Sequence, residues 1–425
     1  MRKFENILLL AGGDSSRFWP IDDKNLVKFL GEPLILYQIR NLAKFACRLL
    51  VVVNSVNKDK IKAYNTTLDK NIPPVELIVQ SEKMIGQAGA ILSAKGKIKG
   101  EVLIVNASDI FDYNILFSLL QKIAGGCQNF VFLARKIKQY FPGGYLKFAN
   151  GKIEEIIEKP RDANVPSDIV KLVVDYFGDF DTLVAALEKI DSRADNDYEQ
   201  ALNLLLSSGK SDYVLYDGLW LPLKYPWHVL TMMKFFLNGL TENKIEKEIT
   251  IGKNTIIKPP VYLENDVKIG DFVKIIGPTY IGSKTIIGDY TMIRESNIGS
   301  GCLIGSGCEV TRSYLEEGVS LHRNYIGDSV LSKGVLIGAG AVTANYRFDE
   351  KAVKTTLGKK RISTQCSKLG AVIGAGAKIG VNSTLLPGVL IGKNSFIGPG
   401  MVVSENIEDE IFVLKEKKKK NDRFS

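Results

Sequence analysis

The sequence predicts a doubly wound α/β domain followed by a triangular coil of short parallel strands. Three observations carry this. Aliphatic runs alternate with amphipathic segments over residues 1–237, an aliphatic-Gly pair recurs every six residues over 251–407, and a polar linker, 238–250, separates the two. Alternation of strands and helices argues for a largely parallel sheet that binds ligands at the carboxyl ends of its strands. A fixed short period is the signature of a solenoid.

The first region reads in order as a strand NILLLA, a helix near Ile35–Lys44, a strand RLLVVVN, a helix near Lys58–Leu68, and strands ELIVQ and EVLIVNASD. A strand-rich stretch follows, FVFLAR, GYLKFANGKIEEIIEKP and IVKLVVDYF, and then helices at Thr182–Ile190 and Asp197–Ser207. The second region repeats IGKNTI, IGDFVK, IGSKTI, IGSGCL, IGAGAV, IGVNST, IGKNSF and IGPGMV. Six residues suit one side of a triangular coil, with the aliphatic side chain pointing inward onto its copies in adjacent coils. The following glycine permits a corner that a Cβ would resist. The period breaks over Thr343–Lys368, where Asn345, Tyr346, Arg347, Lys351 and Lys354 crowd together. A long loop inside a compact repeat is usually functional.

At 425 residues, 45% hydrophobic and 24% charged, the chain is globular and long enough for two domains. No apolar stretch approaches the roughly 18 residues needed to span a bilayer. The start MRKFENILLLAGG imitates a signal peptide but lacks a cleavage pattern and flows into a Gly-rich turn, so it reads as a buried first strand of a cytoplasmic protein. Cys47, Cys127, Cys302, Cys308 and Cys366 form no CxxC pair, which points to small core hydrophobes rather than disulfides or zinc. Much of the net charge of +9 lies in the run KEKKKK, Lys415–Lys420, which reads as a solvated end within the tail 408–425. The remainder suits small anionic substrates, with neither nucleic acid nor membrane as a partner.

Just past the first strand, LLLAGGDSSRFWP places Gly12 and Gly13 before Arg17. Adjacent glycines let main-chain N–H groups approach phosphate oxygens, and an arginine neutralises charge there. By itself this is also an ordinary tight turn. It is joined by Lys28 in VKFLGEPLI, Gln80 and Gly86 in VQSEKMIGQAGAI, Asp109 in NASDIFD, and Glu158 with Lys159 in IIEKP. Of two histidines, His228 lies in the helical PWHVLTMMKFF and reads as packing. His322 lies in LEEGVSLHRNYIGDS, where the hexad shortens to five residues. A histidine there, near Tyr325 and the Asn345 loop, suits a general base.

Over residues 4–237 these motifs resemble the sugar-1-phosphate nucleotidylyltransferases. The resemblance implies that Arg17 and Lys28 stabilise the transferring phosphates of a nucleoside triphosphate, Gly12 and Gly13 approach them, and Gln80 with Gly86 receives the nucleotide. It further implies that Asp109 holds Mg²⁺ and that Glu158 with Lys159 holds the sugar-1-phosphate. Such chemistry asks a protein mainly for positioning and charge neutralisation. Three departures stand out: Ser15 replaces a glycine, Pro222 replaces a second metal-binding Asp two residues after the Trp, and an Asn-Ala-Gly segment is replaced near Leu172–Val174. They point to nucleotidyl transfer that is weakened, altered in substrate or lost.

The stretch LHRNYIGDSVLSKGVLIGAGAVTANYRFDEKAVK resembles the acetyltransferase half of the bifunctional N-acetylglucosamine-1-phosphate uridylyltransferase and glucosamine-1-phosphate N-acetyltransferase family. The implied fold is a nucleotidyltransferase-like domain followed by a left-handed parallel β-helix. The implied pathway is of the UDP-N-acetylglucosamine type. His322 becomes the base toward the sugar amine, while Arg294, Tyr325, Tyr346 and Lys351 bind the sugar phosphate and Asn345 orients the amino sugar. Main chain near Ala339 and Ala375 contacts acetyl-CoA. A protonated amine cannot attack a thioester, so a base beside phosphate-binding cations is coherent. A family lysine is Thr311 here, with Arg312 adjacent. Family members of this coil type form trimers, so a homotrimer is expected. Two alternatives stand beside this reading: a nucleotidylyltransferase with the coil as scaffold, and a regulatory module without turnover.

Overall fold

The computed structural model describes residues 2–68, 72–81, 86–126, 129–160, 164–190, 196–207, 211–358 and 360–414. Cys127 and the Lys415–Lys420 run lie outside them. The chain divides into two compact units, one of residues 1–14 and 33–222, the other of residues 15–32 and 223–425. This differs from the partition read from sequence at two places. Residues 15–32 join the coil, and the change of unit falls at 222/223 rather than 237.

The first unit is built on a nine-stranded sheet. Its parallel part contains β1 (Phe4–Ala11), β2 (Ala46–Val53), β3 (Val75–Val79) and β4 (Val102–Asn106). After the short β5 (Asp109–Phe111) come β6 (Phe130–Lys136), β7 (Gly144–Ala149), β8 (Lys152–Glu158) and β9 (Ile169–Phe177). The strands β10 (Ser211–Leu215) and β11 (Trp220–Pro222) complete the unit. The main order is β8-β7-β9-β4-β1-β2-β3, with β6 between β9 and β10. The apolar run of β1 is buried at every position but Glu5, which confirms the buried first strand. Strands covered on both faces need no polar alternation. Helices lie close to their expected places, at Leu34–Ala43, Lys58–Asn65, Phe180–Glu188 and Asp197–Leu206.

The second unit contains three parallel sheets of eight, nine and eight strands, consistent with a left-handed β-helix of hexapeptide repeats. In the nine-stranded sheet the inward residues stack in register, Ile269 on Ile287, Ile304, Leu321, Ile337, Ile379 and Ile397. All are at most 3% exposed. The strands start at Lys244–Ile245 and end at Phe412–Val413, so the coil runs into the expected linker and tail. Glu246 and Leu414 stand there in place of glycine, which hides those strands from the hexad pattern.

The reason for the hexad glycine is also corrected. A Cβ on Gly288 would lie 2.5 Å from Ser306 N, and one on Gly380 2.5 Å from Pro399 N. Glycine is therefore demanded by the close approach of the next coil. The left-handed turn residues come two places later, at Phe272, Tyr290, Gly307, Gly340 and Gly400.

Tyr280, Asn297 and Tyr314 form a row along the eight-stranded sheet that begins at Lys244. They are nevertheless at most 3% exposed, because residues 15–32 lie along them. Asn297 accepts from Leu30 N at 3.1 Å, and Tyr314 Oη donates to Lys28 O at 2.9 Å. Farther along, Asp22 pairs with Lys393, and Trp19 Nε1 donates to Asp409 at 2.8 Å. One flat face of the coil is thus covered by the protein's own chain. His228 packs against Tyr225 and Trp227, and Cys302 and Cys308 are buried, as expected. Cys47 is exposed, against expectation, because it occupies an outward position near the start of β2. No described helix is long and apolar enough to cross a membrane.

Candidate functional site

In the first unit the expected residues gather at the carboxyl ends of β1, β3 and β4. Asn57 donates to Ala11 O at 2.9 Å and Asn54 to Gly13 O at 3.3 Å, fixing the turn after β1. A Cβ on Gly12 would lie 2.3 Å from Gln80 Oε1, so this glycine lets the Gln80 carboxamide rest against the main chain. Gln80 Nε2 in turn donates to Gly86 O at 3.3 Å. Gly12, Gln80 and Gly86 are therefore brought together.

Asp109 opens β5 and is 6% exposed. Its Oδ1 accepts from Asn106 at 3.1 Å and Ser108 at 3.4 Å, and its Oδ2 from Trp220 Nε1 at 3.3 Å. Gln38 Nε2 donates to its carbonyl at 2.8 Å. Antiparallel pairing sets Pro222 directly opposite Asp109. A magnesium ion needs near-octahedral oxygen ligands, commonly one or two carboxylates plus waters and phosphates. Here one carboxylate already accepts three hydrogen bonds, proline faces it, and no group of three or more acidic, cysteine or histidine side chains suited to a metal occurs among the described residues. The protein's own donor set fits the ion poorly.

At the far side of the sheet Lys159 Nζ pairs with Glu158 at 3.0 Å. Beside them lies a buried polar network. Lys171 Nζ meets Asp175 Oδ2 at 2.6 Å, and Tyr198 Oη donates to the same oxygen at 2.7 Å. Burial raises the Asp175 carboxyl above its ordinary range despite the opposing charge of Lys171. Burial, then the neighbouring Glu158 charge, pushes Glu199 up to about 7. The sequence reading singles out none of these four residues. Their signal was a lysine and an aspartate four positions apart in the otherwise apolar strand IVKLVVDYF, where the resemblance to Asn-Ala-Gly fails.

Arg17 and Lys28 do not belong to this unit; both lie in the second one. Lys28 Nζ pairs with Glu317 at 3.3 Å, and Glu317 also holds Lys333 at 2.6 Å. The Lys28–Glu317 pair is half-exposed, and the resemblance expects Lys28 on the transferring phosphates. Ser15 keeps a left-handed conformation, φ 57° and ψ 23°. A residue with a Cβ holds that conformation at a cost of about 1–2 kcal/mol.

In the second unit His322 stands where the hexad glycine would be. Its equivalents in the adjoining coils are Gly305 and Gly338. The turn is one residue short, and Asn324 fills the gap. Its Oδ1 accepts from His322 N at 2.6 Å, and its Nδ2 donates to Gly338 O at 2.8 Å and Ala341 O at 2.9 Å. The left-handed residue moves forward to Arg323, φ 51°, and the His322 side chain is left exposed.

The strand entered from this turn carries Tyr325, in register with Glu309, which pairs with Arg294 at 3.2 Å. Arg294 Nε is buried and has no hydrogen-bond partner among the described residues. Asn345 Nδ2 donates to Tyr325 Oη at 3.2 Å and to Asp328. Arg312 grips Asp328 through two hydrogen bonds of 2.7 Å. A Cβ on Gly327 would lie 2.6 Å from Asn345 Nδ2 and 2.7 Å from Tyr325 Oη. Tyr325 and Asn345 thus belong to one network with Asp328, Arg312 and Gly327, of which the sequence points only to Arg312, beside Thr311, while Arg294 pairs separately with Glu309. Arg312 does not stand in for the missing lysine at Thr311, because its charge is spent on Asp328.

Tyr346 bridges to Lys368, whose ammonium lies 5.8 Å from the ring centre. Lys351 is exposed, with its N–H donating to Asp349 at 3.3 Å. Ala339 and Ala375 are not on one corner. Ala339 follows Leu336–Ile337 of the nine-stranded sheet, on the His322 corner, whereas Ala375 follows Val372–Ile373 of the sheet that begins at Lys244.

Residues 6–222 match the nucleotidyl transferase family, and residues 370–404 match the bacterial transferase hexapeptide repeat. A bifunctional sugar-1-phosphate nucleotidylyltransferase/acetyltransferase of Sulfurisphaera tokodaii is 33% identical over 90% of this chain and 92% of its own. The bifunctional protein GlmU of Methanococcus maripaludis is 30% identical over 96% of this chain and 97% of its own. That of Methanocaldococcus jannaschii is 27% identical over the same shares. With both halves matched in the same order and over nearly its whole length, the chain belongs to the family of bifunctional sugar-1-phosphate nucleotidylyltransferase/acetyltransferases.

Proposed function

We propose that the second unit transfers the acetyl group of acetyl-CoA to the amino group of an amino-sugar-1-phosphate, glucosamine-1-phosphate. The observation that carries this is His322 at the glycine position of a shortened turn, leading into the Tyr325–Asn345–Asp328–Arg312 network. His322 takes a proton from the sugar ammonium. The freed amine adds to the thioester carbonyl, the C–S bond breaks, and of the two protons the nitrogen loses in becoming an amide one passes through His322 to the departing thiolate and the other to solvent. Arg294, whose Nε lacks a hydrogen-bond partner among the described residues, with Tyr325, Tyr346 and Lys351, holds the sugar phosphate, and Asn345 orients the ring. The main chain at Ala339, on the His322 corner, positions the thioester, and Ala375 contacts a more distant part of the coenzyme.

The first unit carries nucleotidyl transfer from a nucleoside triphosphate to a sugar-1-phosphate, in weakened form. Gly12, Gly13, Gln80 and Gly86 receive the nucleotide and Glu158 and Lys159 the sugar phosphate, while Asp109 offers Mg²⁺ a single carboxylate that fits the ion poorly. Pro222 opposite Asp109 supports weakening, and favours as second reading a first unit that binds nucleotides without turnover. The reading includes a cytoplasmic homotrimer that uses coil faces other than the one residues 15–32 cover.

Separate assays of CoA release with glucosamine-1-phosphate and of pyrophosphate release test the two halves. His322→Ala is expected to lower acetyl transfer by about 10²–10⁴-fold, and unchanged CoA release would remove the proposed base. Rapid pyrophosphate release by the natural enzyme would refute weakening. Light scattering that finds an active monomer would refute the trimer.

A further inference from the structure

The second unit holds a cavity of about 900 Å³ that, apart from Arg17, is lined by residues given no role in either half-reaction. Its wall includes Arg17 and Trp19, the hairpin residues Lys354 and Arg361, and Glu405 and Glu408 from the last coils. It is not at the His322 corner. The coil residues that line it, such as Pro387 and Asn406, follow strands of the sheet that carries Tyr325.

The hairpin pairs Lys354 with Ser363 and Thr356 with Arg361. Strand alternation therefore sets Lys354, Thr356 and Arg361 on one face and Thr355, Leu357 and Ile362 on the other. Leu357 and Ile362 pack on the Trp227, Val353 and Leu369 cluster, which anchors the second face. Asn406 Nδ2 donates to Thr356 O at 2.6 Å and ties the hairpin to the last coils. Opposite, the hydrogen bond from Trp19 Nε1 to Asp409 holds the indole in place. Arg17, Lys354 and Arg361 have no carboxylate partner among the described residues, whereas Arg347 on the same wall is paired with Asp349.

We infer that this cavity is a binding site for a nucleoside diphosphate, distinct from the two sites proposed above. An indole offers a stacking face to any base. Unpaired arginine and lysine side chains suit phosphate oxygens, and carboxylates accept hydrogen bonds from ribose hydroxyls. The wall supplies all three chemistries on rigid elements, and the volume suits a ligand of that size.

Calorimetric titration of the full-length protein with UDP and with ADP, without divalent metal, tests this. Saturable binding is expected, with a component weakened at least about tenfold by Arg361→Glu, a loss of about 1.4 kcal/mol, and that component is retained in Gln80→Ala, which acts only on the first unit's nucleotide site. Trp19→Leu should weaken UDP several-fold and inorganic pyrophosphate not at all. CoA release should persist in Arg361→Glu, showing that the coil is folded. Binding that survives Arg361→Glu but is lost in Gln80→Ala, or that is seen with coenzyme A and with neither diphosphate, would overturn the inference. Absence of any saturable heat would overturn it equally.

Discussion

Replacing Lys171 by methionine should be among the most damaging single changes in the first unit. The ammonium sits 2.6 Å from Asp175 Oδ2, and both side chains are almost wholly buried, at 3% and 0% exposed. Attraction between unit charges about 3 Å apart is worth about 5 kcal/mol at an effective dielectric of about 20. Without Lys171, Asp175 retains, among the described residues, the Tyr198 hydroxyl on Oδ2 and no partner on Oδ1. Removing one member of a buried pair typically costs about 3–5 kcal/mol because it strands the other charge. For a unit of this size that lowers the melting midpoint by about 10 °C.

The sign with pH follows from burial, which raises the Asp175 carboxyl in the folded protein. In Lys171→Met the folded state favours a neutral Asp175, so the deficit grows as pH rises through the carboxylate range and shrinks toward acid. The double variant Lys171→Met/Asp175→Leu removes both charges and should recover the loss to within about 1 kcal/mol. Urea unfolding at pH 5 and pH 8, followed by tryptophan fluorescence, reads all three proteins. A single variant that loses less than about 1 kcal/mol, or a double variant worse than the single one, would refute the reasoning.

Three further outcomes are expected. Pro222→Asp puts a carboxylate in register with Asp109 and should raise Mg²⁺-dependent pyrophosphate release; a rate that does not move with magnesium would show that Pro222 is not what limits the site. Glu199, pushed up to about 7, folds best when protonated, so its contribution is intact below the ordinary carboxylate range and is lost as pH rises from about 4.5 to about 7. Glu199→Gln should therefore flatten that slope, gaining roughly 3 kcal/mol over the natural protein at pH 8 and nothing at pH 4. Gly327→Ala places a methyl 2.6 Å from the Asn345 amide and 2.7 Å from the Tyr325 hydroxyl. These are movable side-chain ends, so the coil should fold while acetyl transfer falls roughly ten- to a hundredfold; unchanged CoA release would detach the network from catalysis.

The period-six pattern determined the coil because every inward aliphatic position and every close-packed glycine recurs in the chain itself. It also determined His322, since a histidine in place of the stack glycine and a turn one residue short are both visible in LHRNYIGDS. The alternating aliphatic runs determined the sheet, and the turn after β1 marked the place where Gly12, Gln80 and Gly86 come together. Only the tertiary structure decided that Asp328 and Arg312 join Tyr325 and Asn345, because residues a coil apart meet through register rather than sequence. It alone set Pro222 opposite Asp109, turning a missing carboxylate into a defined position. It also assigned Arg17 and Lys28 to the coil, since Tyr314, Asn297 and Glu317 bind a segment whose sequence names no such partner. Local periodicity writes the elements into the chain, whereas a polar side chain's partner is fixed only when distant strands come into contact.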